Sequence, residues 1–434
     1  MQAKFDCDVT QFWPRRALLG ILAAMAAIWM APGTCRSQER AEPSDDARKE
    51  MSSVDQHVRQ FLQTYRIPGA AVALTDRGRA ALTRGYGYAD LTTQDQVLPQ
   101  SLFRIASLSK PITAVAILQL IEKGKLKIDD KIVDVLKLEP WIEVSKEKFD
   151  SRWRDVTIGY LLEHRGGWDR DKSMDAMFQS VRFAEQQRVS PPAAATAIIR
   201  AMLLEKLDFA PGERYAYSNF GYCLLGRAIE QKTGLSYEQA VKTSVLASLG
   251  IEDMRLGKTR LAGRAAGEVR YYHPGKARSV FASDQGELVP VPYGAWNLEA
   301  MDAHGGWLAS AEDLAKFAIA FDSPERCPIL SAASIERMHR RPNGLAGYTE
   351  DGKPKDVYYS LGWQNRTLTG GRVNHWHTGS LDGTAAILIR RADGRNLIGL
   401  LNTRTSPVKK DLIGELDAML HRAADSVERW PQGE

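Results

Sequence analysis

Apolar and polar positions along the 434-residue chain change period several times. From Val54 to Tyr65 apolar residues recur at helical spacing and stop at Pro68-Gly69, which predicts a short amphipathic helix. Ala70 to Leu74 and Ala80 to Tyr88 flank the turn Asp76-Arg77-Gly78 and read as a hairpin. Near the other end, Gly383 to Arg390 and Asn396 to Asn402 flank Ala392-Asp393-Gly394-Arg395 as a second hairpin, with a helix expected from Ser406-Pro407 to about Ala424. Between them, from Pro111 to about Ala320, helical periodicity dominates, broken by Pro191-Pro192 and a Gly/Tyr/Pro-rich stretch from Gly257 to Asn297. There is no internal repeat. Strands at both ends and helices between predict an α/β (α+β) fold: one antiparallel sheet built from both termini, flanked by helices, with a mostly helical inserted subdomain. The sheet lobe is expected over about 51–110 and 300–430, and the helical lobe over about 111–299, of one domain spanning 51–430.

The N-terminus follows a different pattern. Arg15-Arg16 precede fifteen uncharged residues, Ala17 to Ala31, after which Pro32, Gly33 and a charged stretch from Arg36 break the run. As a helix this run spans ~22 Å, short of the ~30 Å hydrocarbon core. Residues 1–36 are therefore read as a secretory signal peptide, with an uncleaved N-terminal anchor as the alternative, and 37–50 as a polar linker. The paired arginines are compatible with a twin-arginine route. A periplasmic or secreted chain is expected, touching a membrane only through this segment.

Composition adds mostly exclusions. With 44% hydrophobic, 26% charged and 8% aromatic residues, the chain is neither disordered, collagen-like nor coiled coil. The net charge of +5 includes five basic and three acidic residues in 1–40, leaving +3 on the rest, which is no nucleic-acid footprint. Cys7, Cys35, Cys223 and Cys327 contain no C-x-x-C pair, so neither a zinc ribbon nor a disulfide scaffold can be drawn. The oligomeric state is left open.

The chain lacks a G-x-S-x-G elbow, an H-E-x-x-H helix, a Gly-rich phosphate loop and an EF-hand loop. It has three S-x-x-K copies, at Ser107–Lys110, Ser145–Lys148 and Ser406–Lys409. Ser145 lies in a charged, helix-poor stretch, and Ser406 before Pro407 has the form of a helix N-cap. Ser107 differs because Pro111 and a long apolar run to Ile121 follow it, with Gly124 as a stop, placing Ser107 to Lys110 at the start of a largely buried helix. There residues i and i+3 share a face, so the amine approaches the hydroxyl, and burial disfavours the ammonium form. The alternative is Ser107 as a cap with Lys110 as a solvated charge.

Two further stretches change that balance. Tyr217-Ser218-Asn219 sits on a loop before an apolar helix, and His377-Thr378-Gly379-Ser380 opens the second hairpin with Asp382-Gly383 after it. With S-x-x-K, Y-x-N and H-x-G in this order, the sequence resembles the serine β-lactamase and penicillin-binding superfamily, in its class C-like branch of carboxylesterases, D-aminopeptidases and related hydrolases. Leu102-Phe103-Arg104-Ile105-Ala106, Leu161-Leu162-Glu163-His164 and His304-Gly305-Gly306-Trp307-Leu308-Ala309-Ser310 support the likeness, which covers roughly 50–425.

The resemblance implies Ser107 as acylating nucleophile and Lys110 as the base or its partner. It implies Tyr217 as a proton relay to the leaving group, given cations that depress its pKa, and Asn219 as a holder of substrate or of Lys110. His377, Thr378, Gly379 and Ser380 would bind substrate, with backbone N–H groups of Ser107 and Ser380 as the oxyanion hole. No cofactor is implied, and the partner is a small-molecule or peptide substrate. Many members carry lysine where this chain has His377, and a histidine titrating near ~6.5 attracts a carboxylate weakly at neutral pH. This turns the expectation from β-lactams toward small esters, amides or D-amino-acid peptides, and predicts that anionic substrates bind better as pH falls through ~6.5. Arg366 and Arg372 are the nearby candidates for a replacement cation. A β-lactamase, a D-Ala-D-Ala carboxypeptidase and a non-catalytic ligand-binding module remain alternatives. His375 and His377 share a strand face, but no third ligand has supporting spacing, so no metal is expected. His164 and His304 are read as structural. Trp168, Tyr271, Tyr272, Tyr293, Trp296 and Trp376 either line a cleft or pack.

Overall fold

The computed structural model describes residues 51–409 and 411–431, so the expected leader and linker lie outside the described residues. Helix α1 (Ser52–Tyr65) leads into β1 (Gly69–Asp76), β2 (Arg79–Asp90) and the short β3 (Asp95–Gln96). The segment after Ser107 forms α2 (Ser109–Glu122); α3 (Asn219–Thr233) and α4 (Ala311–Ile319) follow far downstream. The C-terminal part supplies β4 (Val357–Tyr359), β5 (Gln364–Thr367), β6 (Val373–Leu381), β7 (Thr384–Arg390), β8 (Arg395–Leu401) and α5 (Ile413–Asp425).

These strands form one antiparallel sheet in the order β3-β2-β1-β8-β7-β6-β5-β4. Its centre is the pairing of the first strand with the last, from Ala70 opposite Leu401 to Asp76 opposite Arg395. Because successive side chains point to opposite faces, β1 splits: Ala70, Val72 and Leu74 pack with α1 and α5, whereas Ala71 and Ala73 join the main core. β7 divides likewise, with Ile387 and Ile389 on the first face and Ala386 and Leu388 on the second. Both faces are apolar and both are covered, one by the terminal helices and one by α4 and the inserted helices.

Two local expectations are corrected. The last helix starts at Ile413, not at Ser406; Ser406 Oγ instead accepts from the backbone N–H of Val408 and Lys409 at 3.3 and 3.0 Å, closing a turn. Ser107 does not belong to the α-helix itself. It sits in a 3₁₀ turn, Ala106–Leu108, that feeds α2, with Ala106 held at φ 46°. The long central segment is also less helical than its periodicity predicts, because many of its apolar positions fall in single turns and short 3₁₀ pieces.

Candidate active site

Three segments far apart in sequence converge on Ser107. The first is its own turn, which the apolar face of α2 anchors in the core, every residue from Ser109 to Leu120 being buried. The second is the start of α3, where Ser218 caps the helix by accepting from the Gly221 N–H, and its own N–H is taken by Nδ1 of the buried His164 at 3.1 Å. That bond fixes the loop carrying Tyr217 and Asn219, the structural role expected of His164. The third is β6, which runs against the nucleophile turn at Gly379. A Cβ there would fall 2.0 Å from the Ile105 carbonyl oxygen and 3.2 Å from the Ser107 nitrogen, so only glycine permits the approach that brings Ser380 beside Ser107.

Lys110 is fully buried. Its Nζ lies 3.0 Å from Ser107 Oγ, 2.8 Å from Asn219 Oδ1 and 3.0 Å from the His304 carbonyl oxygen. Burial pushes its pKa well below the usual lysine range; the Asp175 carboxylate opposes that shift and Arg170 reinforces it. A neutral amine has two N–H bonds and one lone pair. The two carbonyl oxygens can take the two N–H bonds, which leaves the lone pair for the Ser107 hydroxyl.

Tyr217 lines the same cavity as Ser107 and lies under two basic side chains, Lys110 Nζ at 4.8 Å and Arg170 Cζ at 4.5 Å from its ring centroid. The expected depression of its pKa does not occur. Burial outweighs the lowering by Ser107 and Arg170 and pushes the phenol upward, so it holds its proton at neutral pH.

His377 is buried with both ring nitrogens engaged. The Thr378 carbonyl, 2.7 Å from Nδ1, can only accept, so Nδ1 carries the proton and Nε2 accepts from the Tyr359 hydroxyl at 2.9 Å. Burial, helped by Lys110, lowers its pKa to about 3. The expectation that it titrates near ~6.5 and then attracts anions is therefore corrected. Its strand neighbour His375 bonds Asn365 at 2.7 Å and stacks on His339 at 3.7 Å. Among the described residues no group of three His, Cys, Asp or Glu side chains is arranged to hold a metal ion.

Two cavities meet at Ser107, and Arg170 and Ser380 line both. One, of about 530 Å³, lies on the Tyr217 side and is polar, with Asp169, Asp171, Arg214 and Gln364. The other, of about 200 Å³, lies on the Asn219 side against Phe178, Trp296, Met301 and Leu381, with Arg404 and Asp382 at its wall. Of the six aromatics singled out above, Trp296 alone lines them. Tyr271, Tyr272 and Tyr293 line a separate cavity, Trp168 packs on Trp153 and Phe220, and Trp376 stacks under Arg366. Arg366 and Arg372 are exposed and line neither cavity at Ser107; the cations there are Arg170, Arg214 and Arg404.

Sequence reasoning missed Arg170, Asp175 and Tyr359. Asp175 lies 44 residues from Asn219 and Tyr359 18 from His377, and no motif spacing marks either of them or Arg170. It also left the reason for Arg104 unseen. The Arg104 guanidinium donates to the carbonyls of Pro292, Lys258 and Thr259 at 2.6, 2.7 and 3.1 Å and lies beside Glu268 at 3.5 Å. It thereby ties the 258–292 loop, on the sequence side of Trp296, to the strand that leads into Ser107.

Comparisons with known proteins bear on the fold that carries this site. The family model described as Beta-lactamase matches residues 54–420. "Penicillin-binding protein 4*" of Bacillus subtilis is 28% identical over 362 residues, 80% of this chain and 72% of that protein. "Protein flp" of Staphylococcus aureus is 25% identical over 375 residues, 85% of this chain but only 65% of that protein's length. Among solved structures, the hydrolase with promiscuous acyltransferase activity EstCE1 superposes with a TM-score of 0.65 at 19% identity, covering 87% of this chain and 99% of that one. The D-amino acid amidase of Ochrobactrum anthropi gives 0.62 at 21% identity, covering 88% and 99%. These likenesses establish the fold.

Proposed function

The chain belongs to the Beta-lactamase family, and from that premise we propose that it is an exported serine hydrolase that forms an acyl-enzyme on Ser107 with small esters or amides, D-amino-acid peptides among them, rather than with β-lactams. The observation that carries the reading is the set of contacts at Lys110: a buried amine, pushed toward its neutral form, with two carbonyl oxygens for its N–H bonds and Ser107 Oγ at 3.0 Å.

In the proposed cycle Lys110 takes the Ser107 proton as Oγ attacks the substrate carbonyl. Backbone N–H groups of Ser107 and Ser380 stabilise the oxyanion. Tyr217, protonated at neutral pH, donates to the leaving group and recovers its proton from Lys110. Water then attacks the acyl-enzyme as Lys110 takes its proton, and Lys110 returns that proton to Ser107 Oγ as the acid product leaves. Because Tyr217 lines only the larger, polar cavity, the leaving group goes there, and the acyl group goes to the smaller one beside Trp296 and Met301. Export rests on the basic-then-apolar leader; among the described residues no helix is long and apolar enough to cross a membrane.

The bias against β-lactams rests on His377. Lysine at that position would offer a cation to the carboxylate beside the lactam ring, whereas this imidazole is neutral and both its nitrogens are engaged. The test compares kcat/KM for p-nitrophenyl acetate, a D-alanine amide and nitrocefin. The first two are expected to exceed nitrocefin by at least about 100-fold, a loss of roughly 3 kcal/mol of transition-state stabilisation. Nitrocefin turnover matching the ester would overturn the assignment of substrate class.

A further inference from the structure

We propose that Asp175 is a positioning residue for the general base, acting on Lys110 through the side chain of Asn219. The inference rests on the reading of Ser107 and Lys110 as the acylating pair.

Asn219 stands between two groups that constrain its amide from opposite ends. Its Nδ2 donates to Asp175 Oδ2 at 2.7 Å, and its Oδ1 faces Lys110 Nζ at 2.8 Å. A carboxylate only accepts, so Asp175 selects the orientation in which the amide nitrogen faces it and the amide oxygen faces Lys110. The flipped amide would set two acceptors together at Asp175 and an NH₂ group against the lysine amine. Asp175 is itself anchored: it caps the turn Ala176–Phe178, its Oδ1 accepting from the Met177 N–H at 3.2 Å, and Arg170 lies 3.8 Å from Oδ2.

The consequence reaches the nucleophile. Of the three directions around Lys110 Nζ, the His304 carbonyl fills one and the oriented Asn219 oxygen a second. The third is the line to Ser107. An Asn219 free to flip would compete for the lysine lone pair and turn it from the serine hydroxyl. Asp175 lines neither cavity at Ser107, so it reaches the site through Asn219 and through Arg170, which lines both.

The groups facing Lys110 also define what a pH profile reads. Tyr217 and Tyr222 are protonated phenols, and His164, His304 and His377 are held neutral by burial. That leaves Asp175 and Arg170 as the charges acting on the amine. Removing the Asp175 charge disfavours the ammonium form and moves the acid limb to lower pH.

The experiment measures p-nitrophenyl acetate turnover and the rate of Ser107 labelling by a fluorophosphonate across the acid limb, in the full chain. Asp175→Ala is expected to lower kcat and the labelling rate by at least about 10-fold with KM changed by less than about threefold. Asp175→Asn keeps an acceptor for Asn219 Nδ2. It should restore both rates to within about threefold of wild type while its acid limb moves to lower pH, a combination a merely structural residue would not produce. An alanine variant with wild-type rates, or an asparagine variant as slow as the alanine one with an unmoved acid limb, overturns the proposal. If the alanine chain does not fold, the rate and acid limb of Asp175→Asn decide alone. A wild type that neither turns over the ester nor is labelled at Ser107 overturns the functional reading and this inference with it, and is told apart from the other failures because there the wild type reacts.

Discussion

At the residue scale, burial is the force that sets the chemistry. It drives Lys110 and His377 toward their neutral forms and holds the proton on Tyr217, and in the case of Tyr217 it outweighs the Arg170 guanidinium 4.5 Å from the ring centroid. In the proposed cycle the roles then separate: an amine that accepts and a phenol that donates. Lys110→Met and Tyr217→Phe should each lower the acylation rate by at least about 100-fold, read by single-turnover kinetics on an unactivated ester. An activated ester would hide the loss at Tyr217, because its leaving group needs no proton. For His377 the sign is definite. With its pKa lowered to about 3, the imidazole stays neutral through the whole range from about pH 5.5 to 8.5, so kcat/KM for an anionic substrate should show no rise on acidification that His377→Gln removes. A rise near ~6.5 abolished by that substitution would contradict the buried, doubly bonded geometry.

At the scale of elements, the site depends on how closely β6 approaches the turn before α2. Gly379→Ala would force its Cβ into the Ile105 carbonyl, and either β6 or the nucleophile turn must move. The expected result is a loss of activity of at least about 100-fold, since displacing a single oxyanion donor costs that much, checked with a melting curve to show that the fold survives. Arg104 is the second such device. Arg104→Leu leaves Glu268 buried without its cation and frees three carbonyls of the 258–292 loop, which should cost about 3–5 kcal/mol in urea unfolding.

The elements also show what was readable from the chain. Both hairpins were visible because their turns carry glycine between alternating apolar runs, and both strand pairs fall within two residues of expectation. The turn at Ser406 was misread because a serine before proline satisfies a turn as well as a helix start, and the real start has an apolar N-cap, Leu412, with the bond to the Ile413 N–H coming from Asp411 one residue earlier. The Ser107, Lys110, Tyr217, Asn219 and His377 cluster was legible as ordered motifs. Asp175 was not, because its 44-residue separation from Asn219 is bridged by tertiary packing and not by any periodicity. The state of His377 was hidden for the same reason: its Tyr359 partner arrives from two strands away.

At the scale of the whole molecule, five histidines, His164, His304, His339, His375 and His377, are held below their ordinary pKa by burial. The unfolded chain takes up protons at these positions from ~6.5 downward while the folded chain does not, so each one lowers stability by about 1.4 kcal/mol per pH unit below that point. Buried carboxyls raised above their usual range, Glu163, Glu268, Asp302, Asp313 and Asp322, act in the opposite sense: the folded chain takes up their protons as pH falls through their raised pKa values, above the ~4 of the unfolded carboxyls, and this partly offsets the histidines. The Tm should therefore fall between about pH 7.5 and 5.5, and His375→Gln should make that decline shallower. A His375→Gln chain whose Tm has the same pH dependence as wild type would contradict the burial of that side chain. The central claim remains that the whole fold serves to make one serine of many an acylating group. Its most direct test is intact-protein and peptide mass spectrometry after reaction with a fluorophosphonate. The account predicts a single adduct on the peptide carrying Ser107, absent from Ser107→Ala together with all ester turnover. An adduct on Ser145, Ser406 or any other serine, or a Ser107→Ala chain that still hydrolyses the ester, would contradict it.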